Sequence, residues 1–401
     1  MEQNSALNEC NAVAGNDMEP GETGDAAVAV KQASTNRRRF LASAAVGVEA
    51  GGFPMIAKAQ TPITLRFQST WPLKFLYHEF AMDWTKKVGE LSGGKLKIEM
   101  LPAGAVVPGL QLLEATSKGV LDGGHGLPAF WFGKNSAFGL YGAGPDFGLD
   151  GNQLLGWIEY GGGKELYAEI QAAAQVDVVS FLYGPVPCEP MGWFKKPIRT
   201  TADLKGLKFR TAGLAVDMFN VLGMSTVQLA PADIVPAIDR GVLDGAEFAS
   251  ASDDRIMGFP DVAKYYMQQS YHMSNNFCEI LINKKKYDTL PDELKTAMKY
   301  ASHAASADMS WKSMHRMSQD FLELQYKQKV SIYRTPKVIL DAQLKAWDTV
   351  IAKRSAENPL FAKVIASQKA WAKRVMYWHN NVQVDQRAAY VHYIGNGPTE
   401  A

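Results

Sequence analysis

Apolar and polar residues alternate in Ile63-Thr64-Leu65-Arg66-Phe67, the pattern of a strand with one face turned inward. The period then lengthens. Phe80, Trp84, Val88 and Leu91 recur at helical spacing within residues 77–91. The stretch SGGKLKIEMLPAG reads as a loop, a strand and a turn, and residues 109–118 as a second helix. Such alternation predicts an α/β domain with a mostly parallel sheet. The pattern restarts lower in the chain, with strands at 192–195, 207–210 and 226–229, a helical turn opened by Thr201 to Leu204, and helices over 215–222 and 233–240. Beyond residue 280 the chain becomes mainly helical. Leu290-Pro291-Asp292-Glu293 is a helix start, with acids near the positive dipole end. No Pro or Gly interrupts the run to about Lys329, which at 1.5 Å per residue gives roughly 55 Å, enough to brace two domains. A strand at 330–333 and helices beginning at Pro336 and spanning 358–380 complete the reading.

One five-residue string occurs in both halves. GVLDG spans Gly119 to Gly123 and again Gly241 to Gly245, each time after a predicted helix. Glycine suits the left-handed position just past a helix, the Val-Leu pair is expected to pack back and start a buried strand, and Asp-Gly suits a sharp bend or the strand's entry. Two copies predict two α/β domains of similar build. The expected division is 60–184 with 246–280, 185–245 with 281–335, and C-terminal helices over 336–401.

Composition narrows the function. Lys and Arg number 42 against 41 Asp and Glu, so no basic face marks a nucleic-acid binder. Residues 1–35 are polar, small and aperiodic, and read as a disordered tail. Arg37-Arg38-Arg39-Phe40-Leu41, a weakly apolar run and Ala57-Lys58-Ala59 then resemble a twin-arginine export signal, although Asn36 and Glu49 depart from it. The mature chain is expected to be periplasmic and to begin near Gln60. Cys188 and Cys278 would remain in it; an oxidising compartment permits a bridge, while two cysteines in so large a domain read more naturally as buried thiols.

Several strings together resemble one family: STWP at 69–72, LPAGAVVPGLQ at 101–111, GVLDGGHG at 119–126, GAGPDFGLDGNQLLGW at 142–157, GWFKKPI at 192–198, DLKGLKFRTAG at 203–213, RGVLDGAEF at 240–248 and NKKKYDTLPDEL at 283–294. In this order they resemble the solute receptors of TRAP (tripartite ATP-independent periplasmic) transporters. The resemblance covers roughly residues 62–380. It implies a two-lobed α/β binding-protein fold, spanned by a long helix and extended by extra C-terminal helices, that delivers its ligand to small and large membrane subunits. The nearest branch binds a 2-oxo or 2-hydroxy monocarboxylate, such as pyruvate, with a metal ion; a C4-dicarboxylate or a sugar acid is the alternative ligand. Trp347, Trp371 and Trp378 on the C-terminal helices serve either dimerisation, as in some relatives, or packing on the parent chain.

The resemblance also assigns residues. Arg210, in GLKFR, takes the position of the arginine that holds the ligand carboxylate, for which a planar guanidinium is suited. Glu247 takes that of the metal-ligating acid, and Phe248 lends its backbone carbonyl. Glu189 stands where relatives usually carry Gln. With Gln, one Glu, one substrate carboxylate, one Arg and one monovalent cation sum to zero. An ionised Glu189 makes the sum minus one, and a divalent cation restores neutrality. Two carboxylates and hard oxygen ligands then favour Ca²⁺ over Na⁺; a protonated Glu189 beside Na⁺ is the other reading. Trp71, Tyr183 and Phe248 are expected to wall the ligand's tail, with Phe130 and Trp131 as weaker candidates. In YHMSNNF, Asn276 is expected at the cleft and His272 reads more simply as packing. A twin-arginine-exported oxidoreductase is the rival class. The chain has no G-x-S-x-G, no C-x-x-C and no complete phosphate loop, so nothing in it asks for catalysis.

Overall fold

The computed structural model describes residues 61–395; the export signal and Cys10 lie outside them. Two mixed sheets organise the chain. The first contains β1 (Ile63–Ser69), β2 (Leu96–Leu101), β3 (Gly123–Gly126), β4 (Val178–Val186) and β10 (Asn276–Asn283), in the order β2-β1-β3-β10-β4. The second contains β5 (Gly192–Phe194), β6 (Lys208–Arg210), β7 (Ser225–Val227), β8 (Gly245–Ala246), β9 (Tyr265–Gln268) and β11 (Ser331–Arg334), in the order β11-β9-β5-β8-β6-β7. Each sheet with its helices makes one lobe. β1, β2 and β3 run parallel, as expected, whereas β10 is antiparallel to both its neighbours. In the second sheet β5 is the antiparallel member, against β8 and β9. The strand Tyr265–Gln268 lies in the second sheet, although the expected boundaries place 246–280 with the first domain.

Both GVLDG copies do the same local work. Gly119 and Gly241 sit at φ +77° and +74°, just past a helix. The next amide reaches back into it, Val120 N to Ala115 O and Val242 N to Ala237 O, both at 2.9 Å. Leu121 and Leu243 are buried, but Val120 and Val242 are 56% and 58% exposed, so only the leucine of each pair packs inward. Asp122 then exchanges two bonds with Arg66 of β1: its amide donates to Arg66 O (3.0 Å) and its carboxylate accepts from Arg66 N (2.8 Å). Asp244 repeats this with Lys208 of β6, at 2.8 and 2.9 Å. The glycine that follows is required by space: a Cβ would lie 2.2 Å from the Phe67 ring at Gly123 and 2.5 Å from Trp193 O at Gly245.

The long helix runs from Asp292 to Tyr326, 35 residues or about 52 Å. Leu294 and Met298 belong to the first lobe's core and Leu324 to the second's. Polar bonds fix its course: Trp84 Nε1 donates to Ser302 Oγ at 3.0 Å, and Arg255 pairs with Asp320 at 2.9 Å. Helices Lys337–Glu357, Pro359–Val382 and Gln386–Ile394 follow. Trp347 is buried and Trp371 donates to Gln153 O, so both pack on the parent chain, while Trp378 is exposed. The last helix has no buried residue. Cys188 and Cys278 are free thiols.

Candidate functional site

The site begins with the second GVLDG copy. Strand pairing sets Phe209 beside Gly245 and Arg210 beside Ala246, and Glu247 N donates to Arg210 O at 3.2 Å. Arg210 and Glu247 therefore leave adjacent strand ends together. The guanidinium Nη1 donates to the Glu247 carbonyl at 2.9 Å and its carboxylate at 3.2 Å, while Nε reaches Leu229 O at 3.4 Å. Both side chains are almost wholly buried, so the pair is taken out of water, where its mutual attraction is strong and its desolvation costly.

Glu189 comes from the chain just before β5, its amide held by Met273 O at 3.1 Å. Oε1 accepts from Asn276 Nδ2 at 2.6 Å, whereas Oε2 has no hydrogen-bond partner. Burial raises the Glu189 carboxyl well above the usual range; the Glu247 charge adds to this, and Asn276 and Arg210 oppose it. Burial also raises Glu247, against the pull of Arg210. His272 stands with them: its Nε2 lies 3.9 Å from Glu189 Oε2 and has no hydrogen-bond partner, while Nδ1 meets Ser270 Oγ at 2.7 Å. Burial, assisted by Arg210, lowers His272 to about 3, so it is neutral. Ligand atoms of Glu189, Glu247 and His272 all fall within 4.8 Å of one another. Orphaned carboxylate oxygens on two adjacent buried acids fit a cation, which would remove their repulsion.

A cavity of about 20 Å³ opens between these groups and the first lobe, lined by Trp71, Tyr77, Phe130, Arg210, Glu247 and Phe248 among others. Glu189 also borders it. Arg210 lies 5.5 Å from the Phe248 ring centroid. Trp71 packs edge-on to Tyr77 and Phe130 at 5.0 and 5.2 Å. Tyr183 is not among the lining residues. It sits on β4 opposite Cys278, facing into the first lobe's core, and its hydroxyl meets His125 Nε2 at 2.8 Å. Trp131 likewise turns away and donates to Glu279 at 2.7 Å. Asn276 borders no part of the cavity and acts on Glu189 instead. Tyr77 was not expected in the site, and His272, a cleft candidate with Asn276, was expected rather to pack. The loop sequence around His272 carries no period to orient it, and Tyr77 lies one turn before Phe80, in phase with the Phe80-Trp84-Val88-Leu91 stripe, where an aromatic reads as core.

Two lobes with buried charge and a small cavity between them define a binding protein. The chain matches the model of "Bacterial extracellular solute-binding protein, family 7" over residues 67–358, and it belongs to that family, the solute receptors of TRAP transporters. A monocarboxylate 2-oxoacid-binding periplasmic protein of Nostoc is 28% identical over 314 residues, which are 78% of this chain and 85% of the relative. A TRAP solute-binding protein of Bordetella bronchiseptica, a dimer with copurified calcium and picolinate in its occupied site, superposes with TM-score 0.78 at 28% identity, over 83% of this chain and 97% of that one. Another from Pseudoalteromonas atlantica, with bound sodium and pyruvate, gives TM-score 0.76 at 28% identity, over 83% of this chain and all of that one. No described helix is long and apolar enough to cross a membrane.

Proposed function

We propose that this receptor captures a small 2-oxo monocarboxylate of pyruvate type together with a divalent cation, Ca²⁺ in preference to Na⁺. The observation that carries the reading is the buried set Arg210, Glu247 and Glu189 around one small cavity. Glu189 and Glu247, with the Phe248 carbonyl, would hold the ion; the ion supplies positive charge that a 2-oxo acid can chelate through adjacent oxygens. Arg210 binds the carboxylate edge. With two ionised acids, Arg210 and the ligand, a divalent ion brings the buried charge to zero, and buried net charge is costly. Trp71 and Phe248 wall the short tail. Contacts to both lobes favour the closed form by population shift, and that form is what the membrane subunits would recognise.

Two parts of the reading concern the rest of the chain. Arg37 to Arg39 direct twin-arginine export to the periplasm, and an N-terminus near Gln60 on protein recovered there checks this. The exposed face of the last two helices, with Tyr377, Trp378, Tyr393 and Ile394, receives a second copy of the chain, as one similar protein is a dimer; monomer mass in sedimentation would remove that partner.

The central test is a thermal-shift and calorimetric series on the full chain with pyruvate, a longer 2-oxo acid, succinate and galacturonate, each with Ca²⁺, with Na⁺ alone and with chelator. A ligand that binds the native state raises apparent stability by RT ln(1 + [L]/Kd). The expected result is a large shift with 2-oxo acids that chelator abolishes. Indifference to chelator would remove the divalent ion, and shifts with succinate or galacturonate alone would remove the 2-oxo acid.

A further inference from the structure

The second lobe brings Arg210, Glu189 and Glu247 to the cavity; the first lobe faces them with Trp71, Tyr77, Leu127 and Phe130. Among those four side chains only the Trp71 indole N–H and the Tyr77 hydroxyl are polar. Both are buried, and neither has a hydrogen-bond partner. A phenylalanine would fill the space of Tyr77 without leaving a hydroxyl orphaned, and a buried polar group without a partner is unfavourable. Burial raises the Tyr77 hydroxyl well above its usual range, with Glu189 adding to the effect, so it stays protonated and can donate.

Tyr77 is also tied to the metal side of the site. It is the second residue of the helix Leu76–Leu91, whose first amide, Leu76 N, donates to Asp253 Oδ1 at 2.8 Å. Asp253 stands on the helix Ala251–Met257, a few residues after Glu247 and Phe248. The start of Tyr77's helix is therefore fastened to the segment that follows the acid.

We infer that the Tyr77 hydroxyl, with the Trp71 N–H beside it, is the first lobe's donor pair for the oxygens of the captured acid, and that this bond is what makes ligand binding draw the first lobe onto the second. The inference rests on the 2-oxo acid reading above and adds a specificity-determining residue to it: ligands must present an acceptor toward the first lobe as well as a carboxylate toward Arg210.

The test compares wild type, Tyr77→Phe and Trp71→Phe as full chains, by calorimetry with pyruvate plus Ca²⁺ and with Ca²⁺ alone, and by melting without ligand. Losing one such hydrogen bond corresponds to about a tenfold weaker pyruvate Kd. Tyr77→Phe is expected to show that loss with unchanged Ca²⁺ binding and an unchanged or higher Tm, because no partner in the protein is lost. Trp71→Phe, which keeps an aromatic ring, is expected to follow the same direction in pyruvate affinity. Equal pyruvate affinity in Tyr77→Phe and wild type would overturn the inference alone. A fall in Tm and in Ca²⁺ binding together with pyruvate affinity would assign Tyr77 to packing and overturn it too. Failure of wild type to bind any 2-oxo acid would overturn the underlying reading and this inference with it.

Discussion

The two GVLDG copies build the same turn and then diverge two residues later. Counting from the shared Asp-Gly, the first copy places His125 where the second places Glu247. Each is buried at the end of a short strand beside β1 or β6. His125 is held within its own lobe without charge: burial lowers it to about 3, so it is neutral, and its Nε2 meets the Tyr183 hydroxyl while Nδ1 has no partner. Glu247 keeps an orphan oxygen beside Glu189 and takes its main support from Arg210. One lobe uses the position to finish its core. The other uses it to hold charge that the fold itself does not neutralise, which is the property expected of a site awaiting a cation and an anion.

The largest contrast should appear in binding. Glu247→Gln keeps size and hydrogen-bonding capacity but removes the charge that faces Arg210 and would hold the ion. Breaking a buried ion pair is worth about 3–5 kcal/mol, so pyruvate and Ca²⁺ affinity should fall at least about a hundredfold. His125→Gln should leave affinity within about threefold. Circular dichroism melts on both variants separate lost binding from lost folding. Comparable losses in the two variants would mean that the first copy also serves the ligand, and the comparison would fail.

Much of this was legible in the sequence, and what was not has physical causes. The repeated turn could be read because glycine at positive φ and an Asp-Gly entry leave a local signature. The long helix was bounded to within about three residues, since nothing in 292–326 breaks a helix. Strand β10 escaped notice although it is buried along its whole length. Asn276, Glu279 and Asn283 interrupt its apolar run, and each bonds tertiary partners that no local pattern reveals: Glu279, for example, accepts from Trp131 and Tyr167. Tyr183 was placed in the ligand wall because aromatic type alone does not say which face of a strand points to a cleft. Arg210 and Glu247 came from motif resemblance, and the structure puts them in contact. His272 reads from sequence as packing more readily than as a cleft residue, since its role depends on a loop's three-dimensional course.

A pH series sharpens the contrast, because the two copies are surrounded by groups of opposite slope. Asp254, near Glu247, is raised by burial from 3.8 to about 7. An acid whose folded pKa is raised binds more protons when folded, so its effect is most favourable below about pH 4 and is lost as pH rises toward 7. His125, lowered from 6.5 to about 3, behaves conversely: its penalty is absent above about pH 6.5 and grows as pH falls. Asp254→Asn should therefore gain stability relative to wild type as pH rises from 4 to 7, and His125→Gln as pH falls through the same range. The limiting slope is about 1.4 kcal/mol per pH unit for each. Melts at half-unit intervals decide it; parallel pH profiles for the two differences would refute the opposition.

The smallest effect tests the part that the copies share. Asp122 and Asp244 each accept a strand amide through the side chain, donate their own amide back, and receive an amide from the antiparallel neighbour, Asn283 N at 2.9 Å and Lys195 N at 3.3 Å. The side-chain bond depends on residue type in both copies, and Asp122 alone adds a half-exposed ion pair with Lys286 at 3.3 Å. Asp122→Ala and Asp244→Ala should thus cost about 1–2 kcal/mol each, a fall in Tm of roughly 2–8 °C, and the Asn variants should recover most of it because an amide oxygen can still accept. The variants are expected to differ in one respect. Asp244 fixes the register that sets Glu247 against Arg210, so Asp244→Ala should also weaken pyruvate binding several-fold, whereas Asp122→Ala should not. Equal Tm losses with unequal Kd changes would show one turn carrying two functions; a binding change in both would place the coupling in the lobes rather than in the turn.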